Sequence, residues 1–182
     1  MLTIGQKVPD FSVVAVKPGF NHHEENGQSA FETITQDSFP GKWKVLYFYP
    51  KDFTFVCPTE IVAFAQLNNE FADRDAIVLG GSTDNEFVKL AWRREHKDLN
   101  GLNQYSFADI TGNLMNKLGV KDEQSGAALR ATFIIDPENT IQHVSVNALN
   151  VGRNPQEILR ILDALQTDEL CPCNRQIGGA TL

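Results

Sequence analysis

The chain has little that would suit it to a membrane, a nucleic acid or a disulfide framework. No apolar stretch among its 182 residues approaches the length of a transmembrane helix. Its first residues, MLTIGQKVPDF, have no basic start and no long apolar run. A secretory leader is therefore not expected, and a cytoplasmic location is. Lysine and arginine number 16 against 23 acidic residues, for a formal charge of −7. The basic residues are scattered, so no phosphate-binding stripe is expected, and neither nucleic acid nor membrane is expected as a partner. There are 3 cysteines, Cys57, Cys171 and Cys173, an odd count that makes a poor disulfide scaffold. No internal repeat and no long linker divides the sequence. The reading is one domain over residues 1–167 and a short tail over 168–182.

The apolar pattern predicts alternating strands and helices. DFSVVAVK (Asp10–Lys17) reads as a first strand, and Pro18–Ser29 as a polar loop holding His22 and His23. Adjacent histidines in such a loop rarely converge on one ion, so no metal site is expected there. WKVLYFYP (Trp43–Pro50) is almost continuously apolar, as suits a central strand covered on both faces. Pro58 fits the first turn of a helix that carries Ile61, Phe64, Leu67 and Phe71. AIVLGGST (Ala76–Thr83) is the next buried strand. Asp84 is placed to cap a helix through Phe87, Leu90, Ala91 and Arg94. Leu99–Phe107 reads as loop, and a short helix near Leu114–Leu118 ends at Gly119. RATFIIDP (Arg130–Pro137) and Ile141–Val146 read as a hairpin, and Pro155 opens a last helix. This order implies a three-layer α/β sandwich.

One segment carries chemistry. In PKDFTFVCPTE (Pro50–Glu60), a buried strand ends at Pro50 and a helix begins at Pro58. Cys57 thus sits at a helix N-terminus, where unpaired N–H groups and the dipole favour a thiolate, the nucleophilic form of the thiol. Thr54 lies three residues earlier, and its hydroxyl is placed to bond to the sulfur or to a bound oxygen.

The pattern Pro50-x-x-x-Thr54-x-x-Cys57 resembles the peroxidatic motif of the peroxiredoxins. FTFVCPTE is similar to the alkyl hydroperoxide reductase C branch, the typical two-cysteine class. RATFIIDP, VGRN and a tail with Cys-Pro follow in family order, so the resemblance covers essentially the whole chain. It implies a thioredoxin fold of the peroxiredoxin variety, with a central mixed sheet and helices on both faces. It further implies that Cys57 attacks the peroxide, Thr54 orients it, Pro50 shields the sulfur, and Arg130 lies beside the thiolate. Glu60 and Arg153 look like the ionic partners that hold Arg130. A cation there stabilises both the thiolate and the charge that develops as the O–O bond breaks.

The tail, ELCPCNRQIGG, supplies Cys171 at the family's resolving position, reaching across to a neighbouring subunit. Cys173 departs from the common pattern and resembles a subgroup similar to the actinobacterial enzymes. Which thiol pairs first stays open, with Cys171 favoured. Cys-Pro-Cys offers only two soft ligands, so no metal is expected. His96 and His143 read as ordinary helix and strand residues. The resemblance implies no metal, flavin or haem. It implies a homodimer that assembles into a ring of five or six dimers. It also implies a dithiol reductant: thioredoxin, a flavoprotein disulfide reductase or a small helical partner.

Two other functions compete. A thioredoxin-like disulfide oxidoreductase would carry a second cysteine three residues after Cys57, where Glu60 stands. An oligomeric holdase is compatible with the peroxidase reading. Members of the family that inactivate easily carry a Gly-Gly-Leu-Gly loop and a C-terminal helix with Tyr-Phe. Here the loop reads LNGLNQYSF and the Gly-rich tail has no helical pattern, so resistance to overoxidation is expected.

Overall fold

Two apolar faces that alternate along one strand organise the core. In the computed structural model, which describes residues 1–182, WKVLYF is a strand whose side chains point in turn to opposite sides. Val45 and Tyr47 enter one core, Leu46 and Phe48 the other.

In chain order the elements are β1 (Ser12–Val16), β2 (Glu24–Glu25), β3 (Gln28–Ser29), β4 (Phe31–Thr35), β5 (Trp43–Phe48), α1 (Cys57–Gln66) and α2 (Asn68–Ala72). There follow β6 (Ala76–Ser82), α3 (Glu86–Glu95), β7 (Tyr105–Ala108), α4 (Asn113–Leu118), β8 (Arg130–Ile135), β9 (Ile141–Asn147) and α5 (Pro155–Leu165). Seven strands form one sheet in the order β4-β1-β7-β6-β5-β8-β9, and β2 pairs with β3 in a separate small hairpin. The pairs β5–β6 and β6–β7 are parallel, and the remaining pairs of the sheet are antiparallel. This is the mixed central sheet that the family resemblance implies.

Helices cover both faces. Ile61 and Phe64 of α1, Phe71 of α2, Trp92 of α3 and Ile158, Leu159 and Leu162 of α5 pack with Val45, Tyr47 and Val78. On the other face, Leu114, Met115 and Leu118 of α4 pack with Leu46, Phe48 and Phe133. These are the residues that the 3.6 and 2.0 periodicities align.

The structure corrects three local readings. The helix expected to run on to Phe71 breaks at Leu67 and restarts as α2, with Phe71 still buried. Asp84 does not cap α3; Asn85 does, accepting a hydrogen bond from the Val88 amide at 2.9 Å. Asp84 is occupied instead by the Asp52 amide, at 2.8 Å. Tyr105–Ala108, read as the end of a loop, is the strand β7, held between β1 and β6. At four residues it was too short to show an alternation.

The two glycines of β6 are there because aromatic rings need the space. A Cβ on Gly80 would collide with the Tyr47 ring, and one on Gly81 with the Phe107 ring, both fully buried. Gly81→Ala is therefore expected to lower unfolding stability by about 1–3 kcal/mol through overpacking. Urea denaturation checks this, and an unchanged midpoint would show that Phe107 has room to move.

Candidate active site

Parallel pairing of β5 with β6 ends both strands on the same side of the sheet, and the loop after β5 opens there. Tyr49 still donates its amide to Gly81 O at 2.9 Å, so the chain leaves the sheet only after this residue. Pro50 follows, half-buried, and Phe53 adopts a left-handed backbone conformation (φ 56°) that bulky residues seldom take. Cys57 is the first residue of α1 and has no solvent exposure. Val56 in front of it offers no capping side chain, and Pro58 occupies the first turn. The positive end of the helix dipole is therefore left without a carboxylate cap at the sulfur.

Three segments far apart in sequence meet at this thiol. Arg130, which opens β8, points Nη1 at Cys57 Sγ at 3.5 Å and at Glu60 Oε2 at 2.7 Å. Its Nε donates to Leu149 O at 2.7 Å, which fixes the plane of the guanidinium. Arg153, just before α5, donates to the same carboxylate from Nε and Nη2, both at 2.8 Å, and its amide donates to Glu60 Oε1 at 3.0 Å. A further Arg153 bond runs to Ala131 O at 3.0 Å, and the guanidinium lies 5.0 Å from the Tyr47 ring centroid. All three charged side chains are at most 5% exposed. Two guanidinium charges face one carboxylate, so one positive charge is unmatched, and it lies against the sulfur. A thiolate at Cys57 would complete the neutralisation of this buried cluster.

The other residues singled out from sequence fall differently. Thr54 lies in the loop before Cys57, but its hydroxyl donates to Lys51 O at 2.9 Å and not to the sulfur. In this state the hydroxyl serves the turn. Cys171 and Cys173 are far from Arg130 along the fold. Cys171 Sγ packs at the C-terminal end of α5, 3.4 Å from Thr167 Oγ1 and 3.7 Å from Ala164 O. Gly152, at the other end of that helix, abuts Val56 and Glu60. Eleven residues of α5 therefore separate the two thiol regions, a helix length of about 16 Å. Cys173 is exposed, and all three cysteines are free. The tail is tied to its own helix: Arg175 Nη1 and the Gly178 amide both donate to Asp163 Oδ2, at 2.7 and 3.0 Å. His23 stacks on Phe87 and meets Phe31 edge-on.

Sequence reading missed a second buried network beneath the same loop. Lys89 Nζ donates to Ser82 Oγ at 2.7 Å, Asp52 Oδ1 at 3.0 Å and Tyr49 OH at 3.2 Å. Ser82 Oγ in turn donates to Asp52 Oδ1 at 2.7 Å. Burial pushes the Lys89 ammonium down and the Tyr49 phenol up from their ordinary values, while Asp52 works to keep the lysine charged. A lysine in an amphipathic helix reads as a solvent-facing residue, and only the tertiary fold turns this one inward.

A buried thiol at a helix N-terminus, on a thioredoxin-like sheet and beside an arginine locked by a carboxylate, defines a class of thiol-dependent redox proteins. The comparisons agree and narrow it. Residues 4–144 match the AhpC/TSA family. The alkyl hydroperoxide reductase C of Mycobacterium tuberculosis is 50% identical over 184 aligned residues, covering 100% of this chain and 94% of that protein. The solved structure of Mycobacterium tuberculosis AhpC superposes with a TM-score of 0.87 over 96% of this chain and 98% of its own. A reduced two-cysteine peroxiredoxin of Plasmodium vivax, 34% identical, also gives 0.87, covering 98% of this chain and 91% of that one. The chain belongs to the AhpC/TSA family.

Glu60 is the joint of the site. Glu60→Gln removes the only carboxylate between two buried guanidinium groups and is expected to destabilise the fold by about 3–5 kcal/mol. Chemical denaturation of the reduced protein measures this. A loss below about 1 kcal/mol would show that the arginines find other partners.

Proposed function

We propose that this protein is a peroxidase that reduces hydrogen peroxide and small organic hydroperoxides through Cys57. One observation carries the reading: an unmatched guanidinium charge 3.5 Å from a fully buried thiol at a helix N-terminus. Such a site favours a thiolate and has donors ready for an oxygen that gains charge. The Cys57 lone pair attacks the terminal oxygen of the peroxide as the O–O bond breaks. The leaving oxygen departs as hydroxide or alkoxide and takes up a proton, and Cys57 is left as a sulfenic acid. Arg130 acts as the electrophilic partner, Glu60 and Arg153 fix its plane, and Pro50 and Thr54 roof the sulfur. Thr54 turns its hydroxyl from Lys51 O toward the bound peroxide.

In the second step the Cys171 thiolate attacks the sulfenic sulfur, forming the disulfide and releasing hydroxide, which becomes water. Within one chain the two thiol regions lie at opposite ends of α5, too far apart for a bond that needs Cα atoms within about 7 Å. This supports a Cys171 supplied by a second copy. Cys173, more exposed and two residues on, is a supporting thiol. The sulfur is buried in the folded site, so the first turn of α1 must open before the disulfide forms. A dithiol protein then returns two electrons and two protons, and thioredoxin, a flavoprotein disulfide reductase and a small helical protein all supply that chemistry.

An open edge on β9, seven residues long with Val146 partly exposed, supports pairing of two copies. Phe55, 94% exposed, supports a second contact and a ring of such dimers, five or six by family resemblance. Three free thiols suit a reducing compartment such as the cytoplasm.

Peroxide consumption with a thiol reductant, in protein freed of metal, tests the reading. Activity is expected to vanish in Cys57→Ser, and undiminished turnover there would overturn the assignment. Oxidised wild type is expected to run as a linked dimer on a non-reducing gel, and Cys171→Ser to lose most of that band. A purely intrachain disulfide would contradict the two-chain step.

A further inference from the structure

The loop that carries Cys57 is held unevenly. Its first half is locked. Asp52 and Lys89 form an ion pair at 3.0 Å with both side chains about 1% exposed. The pair is not left to its charges alone: Ser82 bonds to both partners, Tyr49 to the lysine, and the Asp52 amide donates to Asp84 Oδ2 at 2.8 Å. Breaking one member would leave a buried charge without its partner, so this half stays put through ordinary fluctuations. Beyond Phe53, whose ring stacks on Trp92 with centroids 5.7 Å apart, the second half has no comparable network. Phe53 is 50% exposed and Phe55 94% exposed. No amide from Phe53 to Val56 donates to a backbone carbonyl. The Thr54 hydroxyl bonds only within the loop, to Lys51 O. Between the halves stands Phe53 with φ 56°, a left-handed conformation that is costly for a bulky residue.

We propose that Lys89 is a positioning residue for peroxide attack: through Asp52 it fixes the first half of the Cys57 loop and makes Phe53 the hinge at which the second half opens. The inference rests on the reading of Cys57 as the attacking thiol. It adds a division of labour to that reading. Pro50, next to the locked half, keeps its place over the sulfur. Thr54, Phe55 and Val56, beyond the hinge, swing away when α1 unwinds and return to the same place. Lys89 touches neither thiol nor peroxide, so its effect runs through the balance between the closed loop, which attacks peroxide, and the open loop, which forms the disulfide. Loosening the anchor shifts that balance toward the open loop. Attack then slows, and a sulfenic acid already formed spends less time in the closed pocket where a second peroxide can convert it to sulfinic acid.

The test uses the reduced full-length chain with hydrogen peroxide as the probe. Lys89→Met alone strands the Asp52 charge, so the informative variant is Lys89→Met with Asp52→Asn, which removes both charges at similar volume. At a temperature where circular dichroism shows the variant folded, two quantities are read: the single-turnover rate of Cys57 oxidation, and the ratio of sulfinic acid to disulfide by mass spectrometry at fixed peroxide excess. The rate is expected to fall about tenfold or more, equivalent to about 1.4 kcal/mol of barrier, and the sulfinic share to fall with it. If the double variant does not fold, Ser82→Ala keeps both charges and removes one bond to each. Both quantities are then expected to fall about two- to fivefold. A folded variant with a rate within about twofold of wild type, or with an unchanged sulfinic share, would overturn the proposal and leave the network a purely structural role. Peroxide consumption that survives in Cys57→Ser would be the separate failure, that of the underlying reading.

Discussion

The structure turns on one carboxylate held between two guanidinium groups. Glu60 is 2% exposed and bonded to Arg130 and Arg153 at 2.7 to 3.0 Å. In isolation each of these charges would be costly to bury. Together they still leave one positive charge over, and the geometry places it at the sulfur of Cys57. Thiol, cation and helix N-terminus therefore form one electrostatic unit. The ion pairs that hold the two arginines in the core are thus also what fixes a cation at the sulfur.

The fold assembles this unit from pieces 70 and more residues apart. Cys57 and Glu60 lie on consecutive turns of α1, at the spacing that puts them on one helix face. Arg130 comes from the start of β8, the antiparallel neighbour of β5, and Arg153 from the turn before α5. The same packing that buries Phe64 and Ile158 against the sheet thus sets the distance between the sulfur and its arginine. The tail thiols were placed by different forces. They sit at the far end of α5, tied there by Asp163, so the two thiol regions of one chain are kept apart.

Much of this was legible in the sequence, for identifiable reasons. WKVLYF and RATFII are long, apolar and β-branched, and periodicity finds such strands reliably. The segment Pro50–Glu60 could be read because its pattern is local: a proline, a threonine and a cysteine at the start of a helix. Arg130, Glu60 and Arg153 were reached only through family resemblance, since no spacing rule joins residues from three elements. Phe31–Thr35 and Tyr105–Ala108 were not read as strands, because short strands take their identity from the partners on either side. Asn85 took the cap expected of Asp84 because Asp84 had a tertiary partner in the Asp52 amide. Lys89 was invisible for the same reason: only the folded chain turns a helical lysine into a buried cation with an aspartate 37 residues away.

The central claim is that Arg130 stabilises the charge developing on the peroxide oxygens, beyond its effect on the thiolate. The most direct test compares two single-turnover rates at Cys57, with hydrogen peroxide and with a neutral alkylating reagent, in wild type and in Arg130→Met. Both reactions need the thiolate, but only the peroxide develops negative charge on an oxygen beside the guanidinium. In Arg130→Met the peroxide rate is expected to fall by about one to several orders of magnitude, well beyond the fall in alkylation. Equal falls in the two rates would mean that Arg130 serves the thiolate alone, and an unchanged peroxide rate would contradict its role altogether.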